Sequence, residues 1–147
     1  MGRGSAPDPG GTRGTPALSA FLDTNVVIRH LNGDPPESAA RATAALAAAD
    51  ELLLADLVVA ECVYVLESFY VVGRERVAGL MRAAIALPSI RTVDSPTLLR
   101  ALEVYEVERL DFAEAYLVAQ AESTGVGTVL SFDKSIDRVG TVKRQEP

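Results

Sequence analysis

The sequence has few of the side chains on which many enzyme mechanisms depend. Its 147 residues include one cysteine, one histidine and no tryptophan. The single cysteine, Cys62, excludes an internal disulfide and favours a reducing, cytoplasmic location. The single histidine, His30, excludes a mechanism with a histidine pair and a zinc site of several histidines. Because Cys62 follows an acid in an apolar segment, we expect it in the core and not as a nucleophile.

Several longer patterns are missing as well. No run approaches the roughly 18 apolar residues that span a bilayer, and the N-terminus lacks the charged start and apolar core of a signal peptide. The glycines at 125 and 127 lack the further glycine and Lys-Ser/Thr of a phosphate-binding loop. No serine lies in a Gly-x-Ser-x-Gly context. These absences exclude the common nucleotide-loop and serine-hydrolase chemistries.

The charge balance is unusual for a protein that binds nucleic acid. Twenty acidic against fourteen basic residues give a net charge of −6, the wrong sign for a general attraction to phosphates. The few aromatic residues also disfavour a surface on which bases stack. Either nucleic acid is not the partner, or bound metal neutralises some acids and the basic residues are concentrated locally. Composition leaves both alternatives open.

The chain reads as one α/β domain after a short leader. Residues 1–17 are mostly Gly, Pro, Ser, Thr and Arg, which predicts a disordered leader before a domain at 18–147. Short strands that alternate with helices are typical of an α/β fold with a mainly parallel sheet. The patterns predict strands at 18–22, 51–54, 90–93, 127–131 and 141–144, and helices at 24–31, 36–49, 57–72, 74–86, 95–109 and 111–124.

Several helix ends have recognisable signals. We expect Gly73 and Gly125 to end the third and sixth helices, as glycine C-caps do. Ser95 before a proline predicts the N-cap of the fifth helix. Asp111 and Glu114 have the spacing of a capping box at the start of the sixth.

Five acids interrupt apolar runs or lie at strand ends: Asp23, Glu61, Asp111, Glu114 and Asp133. Asp23 and Asp133 each follow the carboxyl end of a predicted strand, where ligands bind in parallel sheets. Glu61 interrupts an apolar helix with no Lys or Arg within one turn, and burying it is costly unless it is paired or binds a metal. The alternative places Glu61 on a narrow solvated stripe of the helix.

Each acid alone also has an ordinary structural explanation. Asp111 and Glu114 could satisfy backbone donors at a helix start, which is worth about 1 kcal/mol. Asp23 could cap the first helix, and Asp133 could be a turn residue. Together the five acids predict a negative pocket that repels itself without a cation and suits Mg²⁺ or Mn²⁺. Such a centre activates water and stabilises charge on a phosphodiester without a nucleophilic side chain.

Four motifs in this order resemble the PIN domain, and within it the VapC-type toxins of bacterial toxin–antitoxin pairs. They are Asp23-Thr24-Asn25-Val26, the segment 57–66 around Glu61, Asp111-Phe112-Ala113-Glu114-Ala115, and Ser131-Phe132-Asp133-Lys134. The resemblance covers residues 18–144. It implies a three-layer α/β/α fold and Mg²⁺- or Mn²⁺-dependent cleavage of RNA. It also implies a homodimer restrained by a cognate antitoxin.

The resemblance assigns roles to individual residues. Asp23, Glu61 and Asp133 match the first, second and fourth acids of the family, and Asn25 and Ser131 match polar positions that support the site. The third acid is usually an Asp directly before the apolar helical run. Here that position is Glu114, one methylene longer, and Asp111 lies three residues earlier. Both stay candidates, because residues three apart share a helix face. By position alone, the basic residues that could bind flanking phosphates are Arg29, Lys134 and Arg138.

Two other functions are open on the sequence. The first is a PIN-like scaffold that binds RNA or protein without cutting, which the intact set of acids disfavours. The second is a regulatory Mg²⁺ site of the kind found in phospho-receiver domains. That site needs two adjacent N-terminal acids, and Asp23-Thr24-Asn25 supplies one.

Overall fold

The computed structural model describes residues 19–147, so the predicted leader at 1–17 and Leu18 lie outside the described residues. Short strands alternate with helices along this part of the chain, as the sequence predicts. A π-helical turn, Val104–Glu108, extends the fifth helix, and a 3₁₀ turn, Lys134–Arg138, follows the fourth strand. The elements in order are β1 (Ser19–Phe21), α1 (Thr24–Asn32), α2 (Pro36–Ala48), β2 (Glu51–Leu53), α3 (Asp56–Ser68), α4 (Arg74–Ile85), β3 (Ile90–Arg91), α5 (Ser95–Glu103), α6 (Phe112–Thr124), β4 (Thr128–Leu130) and β5 (Lys143–Gln145).

All five described strands pair in parallel, in two groups. In the first group β2 lies between β1 and β3, with Ala20 opposite Leu52 and Leu52 opposite Ile90. In the second group β4 pairs with β5, with Val129 opposite Arg144. Helices flank the strands, which confirms the predicted three-layer α/β/α fold. The carboxyl ends of β1, β2 and β3 point the same way, so the residues that follow them meet at one edge.

The core consists of side chains from every layer. Leu52 on β2 and Ile90 on β3 are buried, and Val59, Met81 and Leu102 are wholly buried on the helices around them. Helix α1 packs against α2, and α5 packs against α6. The apolar surface that is removed from water on this scale is the main stabilising term of the fold. No helix in residues 19–147 is both long and apolar enough to cross a membrane.

An arginine from α4 holds the irregular connection between α5 and α6. After the π-helical turn the chain passes through Arg109 at φ 60°, a left-handed conformation. Arg74 Nη1 donates to the carbonyl oxygens of Tyr105, at 2.7 Å, and Leu110, at 2.6 Å. Its guanidinium also lies 4.4 Å from the centre of the Tyr105 ring. Arg74 therefore supplies donors to carbonyl groups at the widened turn, where the regular helix pattern is broken.

The third helix ends earlier than predicted. It was expected to run to Val72 with Gly73 as its C-cap, but α3 ends at Ser68. Val71, at φ 55°, is the left-handed residue, and the Val72 N–H donates to the Leu66 carbonyl at 2.9 Å, which closes the helix end. Gly73 has φ −68° and is the N-cap of α4. The prediction was wrong because a valine occupies the conformation that usually selects glycine.

The predicted N-cap at Ser95 is wrong, the N-cap position predicted for Asp111 is right, and the predicted C-cap at Gly125 is confirmed by its φ of 76°. The cap of α5 is Asp94, which accepts from the Thr97 N–H at 3.1 Å, and Ser95 is already helical. Asp111 occupies the N-cap position of α6, but its side chain makes no capping hydrogen bond. Capping therefore does not account for the acid at position 111.

Candidate active site

Asp23 lies at the carboxyl end of β1 and at the start of α1. The Leu22 N–H donates to the Leu53 carbonyl at 2.9 Å, which keeps the chain beside β2 until it turns into the helix. Asp23 Oδ1 accepts from the Thr24 N–H at 2.8 Å, and the residue is exposed. Asp23 therefore caps α1, as the structural alternative held, and it also faces solvent at the sheet edge where a ligand can reach it.

A side-chain hydrogen bond joins this strand end to α3. Thr24 is buried, and its Oγ1 donates to Glu61 Oε2 at 2.8 Å. Burial and, to a smaller extent, the negative charges of Glu61 and then Asp23 together raise the pKa of the Cys62 thiol to about 12. Both carboxylates thus lie near the same buried sulfur atom, and the structure brings Asp23 and Glu61 together. The expectation that Cys62 is a core residue is confirmed by its complete burial.

Glu61 itself is exposed, so the expectation of a buried carboxylate was wrong. Leu57 (79% exposed), Tyr64 (68% exposed) and Ser68 are also exposed. Glu61, Tyr64 and Ser68 follow Leu57 by four, seven and eleven residues, so the four side chains form one exposed stripe along α3. The apolar neighbours that suggested burial face the core from the other side of α3. Glu61 therefore avoids most of the desolvation cost, and the Thr24 hydroxyl fixes its orientation.

The two candidates for the third acid have different surroundings. Asp111 is exposed and lines a cavity of about 380 Å³ that also contains Tyr64 and Glu67; Glu114 is not among its lining residues. Glu114, in the first turn of α6, is half-buried, and its buried Oε2 has no hydrogen-bond partner within residues 19–147. A buried acceptor without a partner costs about 1–3 kcal/mol, and more when it is charged. Of these two acids, Glu114 is therefore the one that would be stabilised more by a bound cation.

Asp133 is held by a local network after β4. Its Oδ1 accepts from the Ser135 N–H at 2.9 Å, and its own N–H donates to Ser131 Oγ at 2.9 Å. The hydrogen bonds from Ser135 lower the pKa of Asp133, and the positive charges of Arg138 and Arg144 lower it further. The structure therefore favours a carboxylate here, with Ser131 as direct support. It also shows the turn role that the sequence left open.

The remaining predicted residues lie around these acids. Asn25 is exposed and lines a groove between α1 and α2, as does Arg29. Lys134 is exposed at the start of the 3₁₀ turn. Arg138 donates to the carbonyl of Arg109 at 3.1 Å, so its guanidinium has a structural partner.

The donor chemistry of this region fits a hard divalent cation. Asp23, Glu61, Asp111, Glu114 and Asp133 all offer carboxylate oxygens, the ligands that Mg²⁺ and Mn²⁺ prefer, and the partnerless oxygen of Glu114 is a vacant acceptor. Within residues 19–147, however, no group of three Asp, Glu, His or Cys side chains lies close enough to hold an ion. The structure joins Asp23 to Glu61 and does not gather the whole set.

Sequence reasoning missed Thr24 and Asp56. The role of Thr24 depends on a contact with a residue 37 positions away, for which the sequence offers no signal. Asp56 follows β2 as Asp23 follows β1, so the strand-end pattern could have identified it. The Oδ1 of Asp56 is buried and has no partner among the described residues, and its other oxygen accepts from the Tyr116 hydroxyl. That hydrogen bond is the largest cause that raises the pKa of Tyr116 to about 12.

These observations define a general class of protein, a parallel α/β domain with acids at the carboxyl ends of its strands. The family model of the PIN domain matches residues 20–142. The chain therefore belongs to the PIN domain family, whose members are generally nucleases that use divalent metal ions.

Two further comparisons add little to this assignment. No curated protein matches the chain. A solved structure of VapBC2 from Rickettsia felis bound to a DNA fragment from their promoter contains a similar chain, with 12% identity over 88% of this chain and 98% of that one. The TM-score of this match is 0.36, too low to support a statement about function.

Proposed function

We propose that this chain is a Mg²⁺- or Mn²⁺-dependent endoribonuclease, the toxin of a VapC-type toxin–antitoxin pair. The observation that carries the proposal is the joining of Asp23 and Glu61 through Thr24 at the carboxyl end of β1, in a PIN-domain chain. Both acids are exposed, so an RNA strand and a hydrated ion have access to them.

The residues that would hold the ion are Asp23, Glu61, Glu114 and Asp133, with Asp111 as the other candidate for the third position. A bound Mg²⁺ or Mn²⁺ supplies an activated water and stabilises charge on the scissile phosphate.

The chain itself supplies orientation and charge at this site. The Thr24 hydroxyl holds the Glu61 carboxylate, and the Thr24 N–H holds that of Asp23. The lowered pKa of Asp133 favours its carboxylate form. Asn25, exposed one residue after Thr24, offers an amide donor to a phosphate oxygen.

The biological setting belongs to the same proposal. By the likeness of its motifs to VapC-type toxins, we expect a cytoplasmic protein that forms a homodimer and is restrained by a cognate antitoxin. A short upstream reading frame that encodes a DNA-binding protein would support this setting. The chain's own net charge of −6 is compatible with RNA binding when an ion offsets the acids at the site.

The alternative function is a PIN-like scaffold that binds RNA or protein without cutting. One observation favours it: in the described part of the chain, no three potential ligands are gathered for an ion. The two functions differ in one measurable property, because only the nuclease turns over RNA.

The test is cleavage of a labelled, structured RNA by the purified chain with Mg²⁺ or Mn²⁺ and with EDTA. We expect cleavage with either ion, none in EDTA, and none by the Asp23→Asn variant. Asp50→Asn is the matched control, since Asp50 is an exposed aspartate in the connection between α2 and β2. If Asp23→Asn cuts as fast as the parent, the carboxylate mechanism is wrong. If the folded parent binds RNA but never cuts it, the scaffold is correct.

A second pair of variants tests Thr24 as a positioning residue. Thr24→Val removes the hydroxyl that holds Glu61, and we expect a loss of about 10- to 100-fold in metal affinity or activity. Thr24→Ser keeps the hydroxyl and should recover most of it. Metal affinity is measured separately by titration calorimetry. A merely structural role for Thr24 would lower stability in both variants and leave the metal affinity of the folded protein unchanged.

A further inference from the structure

A groove lies between α1 and α2, beside the carboxyl end of β1. It has a volume of about 330 Å³ and is lined by Asn25, Val26, Arg29, Ser38, Arg41, Ala42 and Ala45. Asn25 and Arg29 are one turn apart on α1 and share a face. The groove begins two residues after Asp23, so it is continuous along the chain with the candidate active site.

Among residues 19–147, Arg29 and Arg41 are the only charged residues that line this groove. Within residues 19–147, neither Arg29 nor Arg41 forms a hydrogen bond or an ion pair, whereas Arg82, Arg100 and Arg144 are all paired with carboxylates. Arg29 is half-buried and Arg41 is exposed. The groove therefore brings together two arginines that have no ion pair in the described part of the chain, although the net charge of the whole chain is −6.

The rest of the lining completes a site for a nucleotide. Val26, Ala42 and Ala45 form an apolar surface for a base or ribose, and Asn25 and Ser38 offer polar groups to hydroxyls or base edges. An arginine guanidinium binds phosphate oxygens with a planar fork of donors. The volume is at the lower end of the ~300–1,000 Å³ of small-molecule sites, which suits one nucleotide.

We propose that this groove binds a phosphate-bearing nucleotide of a single-stranded RNA, next to the position at which the strand is cut. The inference rests on the proposed nuclease function for what happens beside the groove. No aromatic ring from the described part of the chain lines the groove, so base stacking contributes little, and contacts to phosphate dominate. Binding is therefore strongly dependent on salt and tolerant of base sequence.

The test is fluorescence anisotropy of a labelled, unstructured 12-nucleotide RNA with the full chain in EDTA, where metal-dependent cleavage is absent. We expect Arg29→Ala and Arg41→Ala each to weaken binding about tenfold, the effect of losing one charge-assisted contact. In a salt titration, the slope of the logarithm of the binding constant against the logarithm of the salt concentration should be shallower by roughly 1.4 in the double variant, because each phosphate contact on a single strand contributes ~0.7. Inorganic phosphate at the same concentration should not displace the RNA, which distinguishes a strand from a free anion.

Two control variants separate this site from general charge effects. Arg76 is exposed on α4 without a hydrogen bond or ion pair in the described chain, so Arg76→Ala removes the same charge elsewhere and should leave binding close to that of the parent. Arg41→Lys keeps the charge without the fork and should fall between Arg41→Ala and the parent. Thermal melts show that each variant is folded.

The failures of the two proposals are distinguishable. If both arginine variants bind RNA like the parent, the groove is not an RNA site, whether or not the chain cuts RNA. If all three alanine variants weaken binding equally, the effect is one of net charge and the groove assignment is wrong. If binding depends on Arg29 and Arg41 but metal ions never induce cleavage, the groove assignment holds and the nuclease function fails.

Discussion

Because Oε2 of Glu114 is buried without a hydrogen-bond partner in the described part of the chain, we expect a specific effect of Glu114→Gln on stability. Glu114→Gln replaces a buried charge by a neutral amide. We take the cost of the buried charged oxygen as about 2 kcal/mol and that of a neutral orphan as about 1 kcal/mol. Glu114 also lies in the first turn of α6, where its charge favours the helix dipole by roughly 0.5 kcal/mol, and the variant loses that contribution. In EDTA we expect a net gain of about 0.5 kcal/mol.

Glu75→Gln is the matched control, because Glu75 lies in the first turn of α4 and is exposed. This variant loses the same dipole contribution of roughly 0.5 kcal/mol and relieves no buried oxygen. The two variants should therefore differ by about 1 kcal/mol, or roughly 4 °C in Tm for a domain of this size. Thermal melts followed by circular dichroism in EDTA resolve a difference of that size.

Repeating the thermal melts with a metal ion tests whether Oε2 of Glu114 belongs to the proposed metal site. An ion that binds only the folded chain at a hundredfold excess over its Kd stabilises it by about 2.7 kcal/mol. The parent and Glu75→Gln should show this rise with Mg²⁺ or Mn²⁺, and Glu114→Gln should show a smaller one. Equal metal responses in all three proteins, or equal stability of the two variants in EDTA, would refute the reasoning about Glu114.

Two further predictions concern groups outside the site. Glu122 is bound by Arg100 through contacts of 2.8 and 2.9 Å, and these hydrogen bonds are the main cause that lowers its pKa below the ordinary 4.5. Glu122→Gln should therefore lower the free energy of unfolding by about 1 kcal/mol at pH 7, and this difference from the parent should vanish as the pH falls through the lowered pKa of Glu122. Glu103→Gln, which removes the exposed partner of the same arginine, should lower the free energy of unfolding by less. Urea denaturation between pH 2 and 7 measures both effects. Burial and a pKa of about 12 should make Cys62 unreactive to iodoacetamide at pH 8 in the folded chain and reactive in denaturant, and equal labelling rates would contradict the described burial.

The order of the elements could be predicted from the sequence because its signals are local. Apolar runs of strand length, helical periodicity and Gly125 each act within a few residues, and the described elements follow them. The same holds for Asp23 and Asp133, whose positions after β1 and β4 follow from counting to the end of an apolar run. Local patterns also show why Asp56 could have been found.

What the sequence could not predict depends on long-range packing. Whether Glu61 is exposed depends on which face of α3 packs against the sheet. Its neighbours in the sequence are apolar on both sides, so they do not indicate that face. The hydrogen bond from Thr24 to Glu61 spans 37 positions, and the division of the strands into two groups depends on pairing between distant segments. The end of α3 at Val71 was missed for another reason, since valine rarely adopts a positive φ.

The widened turn at 104–108 limits which changes in chain length this protein can accept. A π-helical turn is one residue longer than the α-helical turn it replaces, so losing a single residue there would restore regular winding. Each residue of an α-helix turns the chain by about 100°, and everything after the deletion would rotate by that amount relative to α4. Arg74 would no longer reach the carbonyls of Tyr105 and Leu110, and Glu114 would face a new direction. Natural relatives should therefore keep the number of residues in this segment constant, even where its amino acids differ.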